Sequence, residues 1–136
     1  NGTIDARLLP RLPALLREAQ AVFSETGGLH AAGLFDFDGR LIVAREDVGR
    51  HNAVDKVVGF GVRSKTLPFR SRVLMVSGRT GFEIVLKAWM AGIPVLASVS
   101  APSQLAVQLA EEANMALAGF VRGESFTVYT GRHRIR

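Results

Sequence analysis

The feature that most constrains the fold of this sequence is a regular alternation of apolar and amphipathic segments in its second half. Residues 72–76, 93–99 and 117–121 are apolar runs of strand length, and the intervening residues 82–90 and 103–114 carry apolar side chains at helical spacing. Short buried strands that alternate with helices are typical of parallel pairing in α/β proteins. This half of the chain therefore predicts a sheet covered by helices.

The first half of the sequence predicts a helix followed by a hairpin. Apolar side chains recur at helical spacing from Leu12 to Phe23, and Gly27-Gly28 is expected to end that helix. Asp38-Gly39 separates two apolar runs, and this dipeptide favours the positive φ of a hairpin turn. With a helix predicted over residues 50–62 and a last strand over residues 126–130, the expected order is α-ββ-α-β-α-β-α-β-β. We predict an α/β sandwich with a mixed sheet, built as a single domain over the whole chain.

The chain of 136 residues carries an excess of positive charge and no cysteine. Its net charge is +5, and 14 of its 17 lysine and arginine residues are arginine, whose planar guanidinium suits phosphates and carboxylates. Without cysteine, a disulfide framework, a thiolate zinc site and a cysteine nucleophile are excluded within these residues. No apolar run reaches membrane-spanning length. We therefore expect a cytoplasmic protein with an anionic partner and no membrane association.

The densest group of polar side chains lies where a predicted strand meets a predicted helix. It comprises Glu46, Asp47, Arg50, His51, Asp55 and Lys56. His51 and Asp55 share one helical face, so an imidazole and a carboxylate are expected to point together toward the sheet, where they could transfer a proton. Alternatively, the two side chains form a surface contact and the acids complement the positive end of the helix. The sequence leaves both interpretations open.

Two predicted helices begin directly after neighbouring strands. Ser77-Gly78-Arg79 leads into a helix in which Thr80 and Glu83 have the spacing of a capping box. Residues 98–103 repeat the arrangement, with a serine cap and with Pro102 in the first turn. Capping is the simpler interpretation of each segment. Together, however, the two strand ends would form a crevice at the carboxyl edge of the sheet, where α/β proteins bind ligands.

A third candidate is the glycine turn near the C-terminus. Phe120 could stack on a base and Arg122 could bind a phosphate beside Gly123. The alternative is that Phe120 belongs to the core and that Gly123-Glu124 is an ordinary hairpin turn. The spacing alone favours the turn.

Six motifs in one order carry a resemblance to a known family. They are Thr26-Gly-Gly-Leu-His-Ala31, Glu46-Asp-Val-Gly-Arg-His-Asn-Ala-Val-Asp-Lys56, Ser77-Gly-Arg79 with Phe82-Glu83, Ala91-Gly-Ile-Pro-Val95, Ser100-Ala-Pro102 and Gly119-Phe-Val-Arg-Gly123. From Leu8 to Ile135 the chain resembles the FdhD family, and the motif that begins at Glu46 is highly specific. The resemblance implies a fold similar to that of cytidine deaminase. It also implies a homodimer, because the family is commonly dimeric.

The resemblance implies sulfur transfer as the function. FdhD proteins are formate dehydrogenase accessory sulfurtransferases, which pass persulfide sulfur from a cysteine desulfurase to the molybdenum or tungsten bis-guanine-dinucleotide cofactor for formate dehydrogenase. The family carries this sulfur on a cysteine of a Cys-x-x-Cys-Gly loop, ahead of the segment that corresponds to Asn1. The chain therefore resembles the C-terminal cofactor-binding domain, without that loop and the smaller N-terminal region. It is expected to bind the cofactor but not to transfer sulfur alone, so no catalytic residue is expected within it.

The resemblance also implies which residues bind the cofactor. The family's contact motif corresponds to Phe120, Val121, Arg122, Gly123, Glu124 and Ser125. We add Arg79 and Ser100, because arginine and exposed amides at neighbouring strand ends can bind the several phosphates of a dinucleotide. A second candidate site comprises His30, Ser77 and Gly78 together with Glu46, Asp47, Arg50, His51, Asp55 and Lys56. No zinc is expected, because His51 and Ser77-Gly78-Arg79 stand at the deaminase metal positions without zinc-binding thiols.

Three other functions are compatible with parts of the sequence. A non-enzymatic chaperone would hold the cofactor for formate dehydrogenase without transferring sulfur. A zinc deaminase acting on a base fits the expected fold, and the absence of cysteine opposes it. A nucleic-acid binder fits the charge, but neither interleaved aromatic residues nor a known module supports it, so no nucleic-acid partner is expected.

Overall fold

One mixed sheet of six strands organises the part of the chain that the structure describes, residues 2–23 and 29–136. The structure is a computed structural model. The strands are β1 (His30–Asp36), β2 (Leu41–Asp47), β3 (Arg72–Val76), β4 (Val95–Ser98), β5 (Ala116–Arg122) and β6 (Ser125–Thr130). Their order across the sheet is β2-β1-β3-β4-β5-β6, with β3, β4 and β5 parallel and the other neighbours antiparallel. The predicted α/β class with a mixed sheet is confirmed.

Four α-helices among the described residues cover the two faces of the sheet. They are α1 (Leu12–Phe23), α2 (Arg50–Ser64), α3 (Phe82–Met90) and α4 (Gln104–Glu112). On one face, buried side chains of α2, α3 and α4, such as Val54 and Ile84, form one core cluster with the sheet. On the other face, α1 contributes Leu12 and Leu16 to a second cluster. Full burial of each such leucine stabilises the fold by roughly 1.5–3 kcal/mol.

Strand β4 is shorter than the predicted run over residues 93–99. The N–H of Ile93 donates to the carbonyl of Ala88 at 3.0 Å, which completes the end of α3 instead of pairing in the sheet. Pro94 has no N–H to donate to a neighbouring strand. The strand therefore begins at Val95.

The predicted serine cap of α4 is confirmed, and the predicted position of its proline is wrong. Ser103 is the N-cap, and its hydroxyl oxygen accepts a hydrogen bond from the N–H of Ala106 at 3.1 Å. Pro102 lies before this cap rather than in the first turn of the helix. At this position its ring packs close to the end of β5. The predicted end of α1 at Gly27-Gly28 lies outside the described residues.

The topology brings several strand ends to the same side of the molecule. Because β3, β4 and β5 are parallel, Val76, Ser98 and Arg122 end at one edge of the sheet, which we name the carboxyl edge. Strand β1 runs antiparallel to β3, so its first residue, His30, lies at the same edge. No helix of the described residues has the length and apolarity to cross a bilayer.

Candidate functional site

Hydrogen bonds join the segments that follow β3 and β4 to each other and to the end of β5 at the carboxyl edge. The N–H of Ser103 donates to the carbonyl of Thr80 at 2.9 Å, and the N–H of Phe120 donates to the carbonyl of Ser100 at 3.3 Å. A Cβ atom on Gly119 would lie 2.9 Å from that same Ser100 carbonyl oxygen, so this approach requires glycine. The structure thus brings the predicted residues Ser100 and Phe120 together.

A cavity of about 670 Å³ opens between α1 and the end of β5. Its walls include Arg11, Ala14, Arg17 and Glu18 on one side and Val121, Arg122 and Gly123 on the other. Positions 11, 14 and 18 recur at helical spacing, which places them along one side of α1 and the short 3₁₀ turn that precedes it. We name this space the arginine cavity.

The guanidinium groups of the arginine cavity are not neutralised by neighbouring acids. Four ion pairs link the residues that the structure describes, and none of them includes Arg11, Arg17 or Arg122. The Arg122 guanidinium instead lies over the Phe120 ring, 5.6 Å from its centroid. Gly123 forms the adjacent turn with a φ of 55° and leaves its surroundings open. Such a cavity fits a ligand with several negative charges.

Sequence reasoning missed Arg11 and Arg17 as candidate site residues. Both lie in or next to a helix whose visible role is to bury Leu12 and Leu16. The spacing of the exposed positions on α1 carries a weak signal, because it defines a second side of the helix. Only the fold shows that this side lies opposite Arg122.

A smaller cavity of about 320 Å³ adjoins the arginine cavity. The two share Pro13, Arg17 and Val99 in their walls. Because the smaller one is also lined by His30 and Ser77, we name it the histidine cavity. The two sites predicted separately from the sequence are therefore neighbours along α1.

Gly78 allows two predicted residues to pack closely behind the histidine cavity. A Cβ atom at this position would lie 3.2 Å from Nδ1 of His30 and 3.4 Å from Cδ of Arg50. Ser77 fixes the start of β1, since its hydroxyl oxygen accepts a hydrogen bond from the N–H of Ala31 at 2.9 Å. The Nε atom of Arg50 is buried and has no hydrogen-bond partner among the described residues.

Several predicted residues line neither cavity. They are Arg79, Ser100, Phe120, Glu124 and Ser125. They lie in the segments that follow β3 and β4, in the end and turn of β5, and, for Ser125, at the start of β6. The predicted motif after residue 119 thus reaches the arginine cavity through Val121, Arg122 and Gly123, while its aromatic ring lies beside the cavity.

The predicted orientation of His51 and Asp55 toward the sheet is wrong. Nε2 of His51 lies 3.8 Å from a carboxylate oxygen of Glu83, and Nζ of Lys87 lies 2.7 Å from Asp55. The buried side of α2 runs through Val54, which leaves positions 51 and 55 at its flank, facing α3 and solvent. The alternative interpretation of a surface contact is the one that the structure supports.

The predicted capping box at the start of α3 is also wrong. The N-cap is Gly81, and no side chain of the described residues caps the helix there. The hydroxyl oxygen of Thr80 is buried without a hydrogen-bond partner in the described part of the chain. Glu83 lies toward His51 instead of reaching back to the helix start.

The remaining residues of the second predicted site stabilise the connection between β2 and α2. Asp47 accepts a hydrogen bond from the N–H of Gly49 at 3.0 Å, and Nζ of Lys56 lies 3.0 Å from its carboxylate. The Gly49 amide, followed by Lys56 and Asn52, lowers the pKa of Asp47 to about 2. Lys56 also donates to the backbone carbonyl of Glu46 at 2.8 Å.

The described ranges contain no cluster of side chains typical of a metal site. No group of three or more histidine, aspartate or glutamate side chains there is placed to hold a metal ion. The arginine cavity and the histidine cavity are two spaces at the carboxyl edge that a ligand could enter.

The fold and these cavities define an α/β protein with an arginine-lined groove at the carboxyl edge of its sheet. The FdhD/NarQ family pattern matches residues 1–136, which is the whole chain. The chain belongs to the FdhD/NarQ family.

Relatives from distant organisms support this assignment. The chain is 60% identical over 134 residues to a sulfur carrier protein FdhD of Nocardia farcinica, covering 98% of this chain and 48% of the relative. It is 56% identical over 124 residues to a protein of the same name from Sulfolobus acidocaldarius, and this match covers 91% of this chain and 49% of the relative. The chain thus spans about half the length of these curated relatives.

A solved structure supports the fold. The chain superposes on a crystal structure of a Desulfotalea psychrophila protein assigned as a formate dehydrogenase accessory protein, with a TM-score of 0.89 and 30% sequence identity. The match covers 100% of this chain and 60% of that protein. The predicted α/β sandwich is therefore confirmed by a relative as well as by the sheet order.

Proposed function

We propose that this chain is the part of a sulfurtransferase that binds the molybdenum or tungsten bis-guanine-dinucleotide cofactor. The observation that carries the proposal is the arginine cavity, where Arg11, Arg17 and Arg122 have no ion-pair partner among the described residues. The names of the relatives, which describe a sulfur carrier and a formate dehydrogenase accessory protein, support the sulfur-carrier part of the proposal.

The residues present fit the phosphates of such a cofactor. Guanidinium groups bind phosphate oxygens through two parallel hydrogen bonds, and Gly123 leaves the turn at the end of β5 open to a close approach. The ring of Phe120, which is 37% exposed, offers an apolar surface beside them for a base. The fit concerns the nucleotide end of the cofactor, because phosphates and bases are what these side chains recognise.

In this proposal the cofactor is the substrate that accepts sulfur, and formate dehydrogenase receives it afterwards. The chain has no cysteine, so the persulfide that a cysteine desulfurase supplies forms on a part of the protein outside it. The arginine cavity contributes by fixing the phosphates, which limits the orientations of the rest of the cofactor. Position and orientation are therefore this chain's contribution to the transfer.

A chaperone that carries the cofactor without adding sulfur would use the same cavity. The full-length protein separates the two functions through the cysteine of its reactive loop. Under the proposal, replacing that cysteine by alanine abolishes activation of formate dehydrogenase while cofactor binding persists. Unchanged activation would favour the chaperone.

Calorimetric titration of the 136-residue chain with guanosine diphosphate (GDP) tests the binding half of the proposal. We expect saturable binding, and we expect Arg122→Ala and Arg17→Ala each to weaken it about 10- to 100-fold, as loss of charged hydrogen bonds does. Arg63→Ala, at the exposed end of α2, is the matched control and should leave the affinity unchanged. Absence of binding, or equal losses in all three variants, would refute the proposal.

A further inference from the structure

We propose that Glu18 recognises the guanine base of the ligand that the arginine cavity binds. The inference rests on the proposed function and deepens it, because it names the residue that distinguishes guanine from other bases. It would make α1 the element that recognises the nucleotide, with Arg11 binding the phosphates and Glu18 binding the base.

Among the residues that the structure describes, Glu18 is the one acidic residue in the walls of the arginine cavity, and none lines the histidine cavity. Its side chain is exposed, and it forms no ion pair with Arg11, Arg17 or Arg122 in the part of the chain that the structure describes. Glu18 therefore lines the cavity with an exposed side chain that is not engaged by the cavity's arginines in the described ranges.

A free carboxylate in a phosphate-binding cavity requires an explanation. It repels phosphate, so it lowers the affinity for any ligand that offers it no hydrogen-bond donor. Guanine does offer donors, since its N1–H and its 2-amino group lie side by side and match the two oxygens of one carboxylate. Adenine presents an unprotonated N1 at the corresponding position, which a carboxylate disfavours. A site built in this way accepts guanine and rejects adenine.

The placement of Glu18 along α1 suits a nucleotide that lies parallel to the helix. Glu18 is seven residues beyond Arg11, which corresponds to about 10 Å along the helix axis. This separation is comparable to that between the diphosphate and the base edge of a nucleoside diphosphate. Arg122 and Gly123 form the opposite wall, so the nucleotide would lie between α1 and the β5–β6 turn.

A purely electrostatic role for Glu18 makes the opposite prediction. If the carboxylate only reduced repulsion among the three arginines, its neutralisation would strengthen the binding of every phosphate ligand alike. If the carboxylate recognises guanine, its neutralisation weakens the binding of GDP and not the binding of the other phosphate ligands. The sign of the change for GDP therefore separates the two roles.

The test is a calorimetric comparison of the 136-residue chain and its Glu18→Gln variant with GDP, adenosine diphosphate and inorganic diphosphate. We expect the variant to bind GDP about tenfold or more weakly, and to bind the other two ligands as well as the parent chain or better. Glu111→Gln, which removes one negative charge at the exposed end of α4, is the control and should change none of the three affinities.

A second measurement needs no variant. The parent chain should bind inosine diphosphate, which lacks the 2-amino group, about tenfold more weakly than GDP, and adenosine diphosphate more weakly still. Equal affinities of the parent chain for the three nucleotides, or unchanged or tighter GDP binding by Glu18→Gln, would overturn the inference. The proposed function would stand in that case if Arg122→Ala still weakened the binding of GDP. Failure of GDP to bind at all would overturn both.

Discussion

Asp47 links the end of β2 to the start of α2 through three contacts. Its carboxylate accepts hydrogen bonds from the N–H of Gly49 and the side chain of Asn52, and it lies 3.0 Å from Nζ of Lys56. These partners favour the charged form and lower the pKa of Asp47 from 3.8 to about 2. Because the pKa is lower in the folded state than in the unfolded state, the carboxylate stabilises the fold at neutral pH. That contribution is lost as the pH falls from about 4 toward 2.

We expect Asp47→Asn to lower the urea concentration at the midpoint of unfolding at pH 7, because the variant loses the ion pair with Lys56 and weakens the bond from Gly49. The difference from the parent chain should shrink as the pH falls toward 2, where about half of the parent carboxyl groups are protonated. Asp38→Asn, at the exposed hairpin turn, is the control and should show little difference at either pH. A difference of equal size at both pH values would contradict this account.

Local chemistry made some residues of the site predictable and left others hidden. The turn at Gly123 and the cap at Ser103 follow from the short-range preferences of glycine and serine, and both are confirmed. The environment of His51 depends on Glu83, a residue more than thirty positions away on another helix. Spacing within α2 identifies a shared face, but only the packing of α3 shows what that face meets.

At the scale of elements, the end of β5 is held against the segment after β4 with almost no free space. A Cβ atom at Gly119 would lie 2.9 Å from the carbonyl oxygen of Ser100, 3.0 Å from the Tyr129 ring and 3.1 Å from Pro102. A backbone atom and a proline ring cannot move aside as a flexible side chain can. This contact sets the distance between the two loops of the carboxyl edge.

We expect Gly119→Ala to destabilise the protein by about 1–3 kcal/mol, because it forces these loops apart. Thermal unfolding should show a clearly lower midpoint, and GDP titration a weaker affinity, since Arg122 follows on the same strand. Gly81→Ala is the control, because an added Cβ atom meets nothing within 4 Å and the backbone there is extended. Since Gly81 is the N-cap of α3, where alanine is less favourable than glycine, we expect a smaller loss of at most about 1 kcal/mol. Equal midpoints for the two variants would show that the close approach is not required.

The order of the elements could be read from the sequence, whereas their neighbours across the cavities could not. Apolar periodicity located every strand and α-helix of the described ranges, because burial on one face imposes it locally, but not the two short 3₁₀ helices. Helix α1 illustrates the limit. Its pattern predicts the buried side with Leu12 and Leu16, while the partners of Arg11 and Arg17 depend on where β5 lies in the sheet.

At the scale of the whole molecule, several cavities have arginine side chains in their walls, and one of them lies at the edge of the sheet opposite the arginine cavity. The opposite edge has a cavity of about 330 Å³ lined by Arg70, Ser71 and Arg134. There Arg134 already donates a hydrogen bond to the backbone carbonyl of Asn114 at 2.9 Å. The arginine cavity is larger, and the histidine cavity continues it. We therefore assign the phosphorylated ligand to the carboxyl edge.

The most direct test of this assignment is an NMR titration of the ¹⁵N-labelled 136-residue chain with GDP. We expect the amide signals of Ser77, Val99 and Gly123 to shift with one common dissociation constant, because these residues line the two adjoining cavities. Shifts confined to Ser71 and Gly92 at the opposite edge, or no shifts at all, would contradict the account.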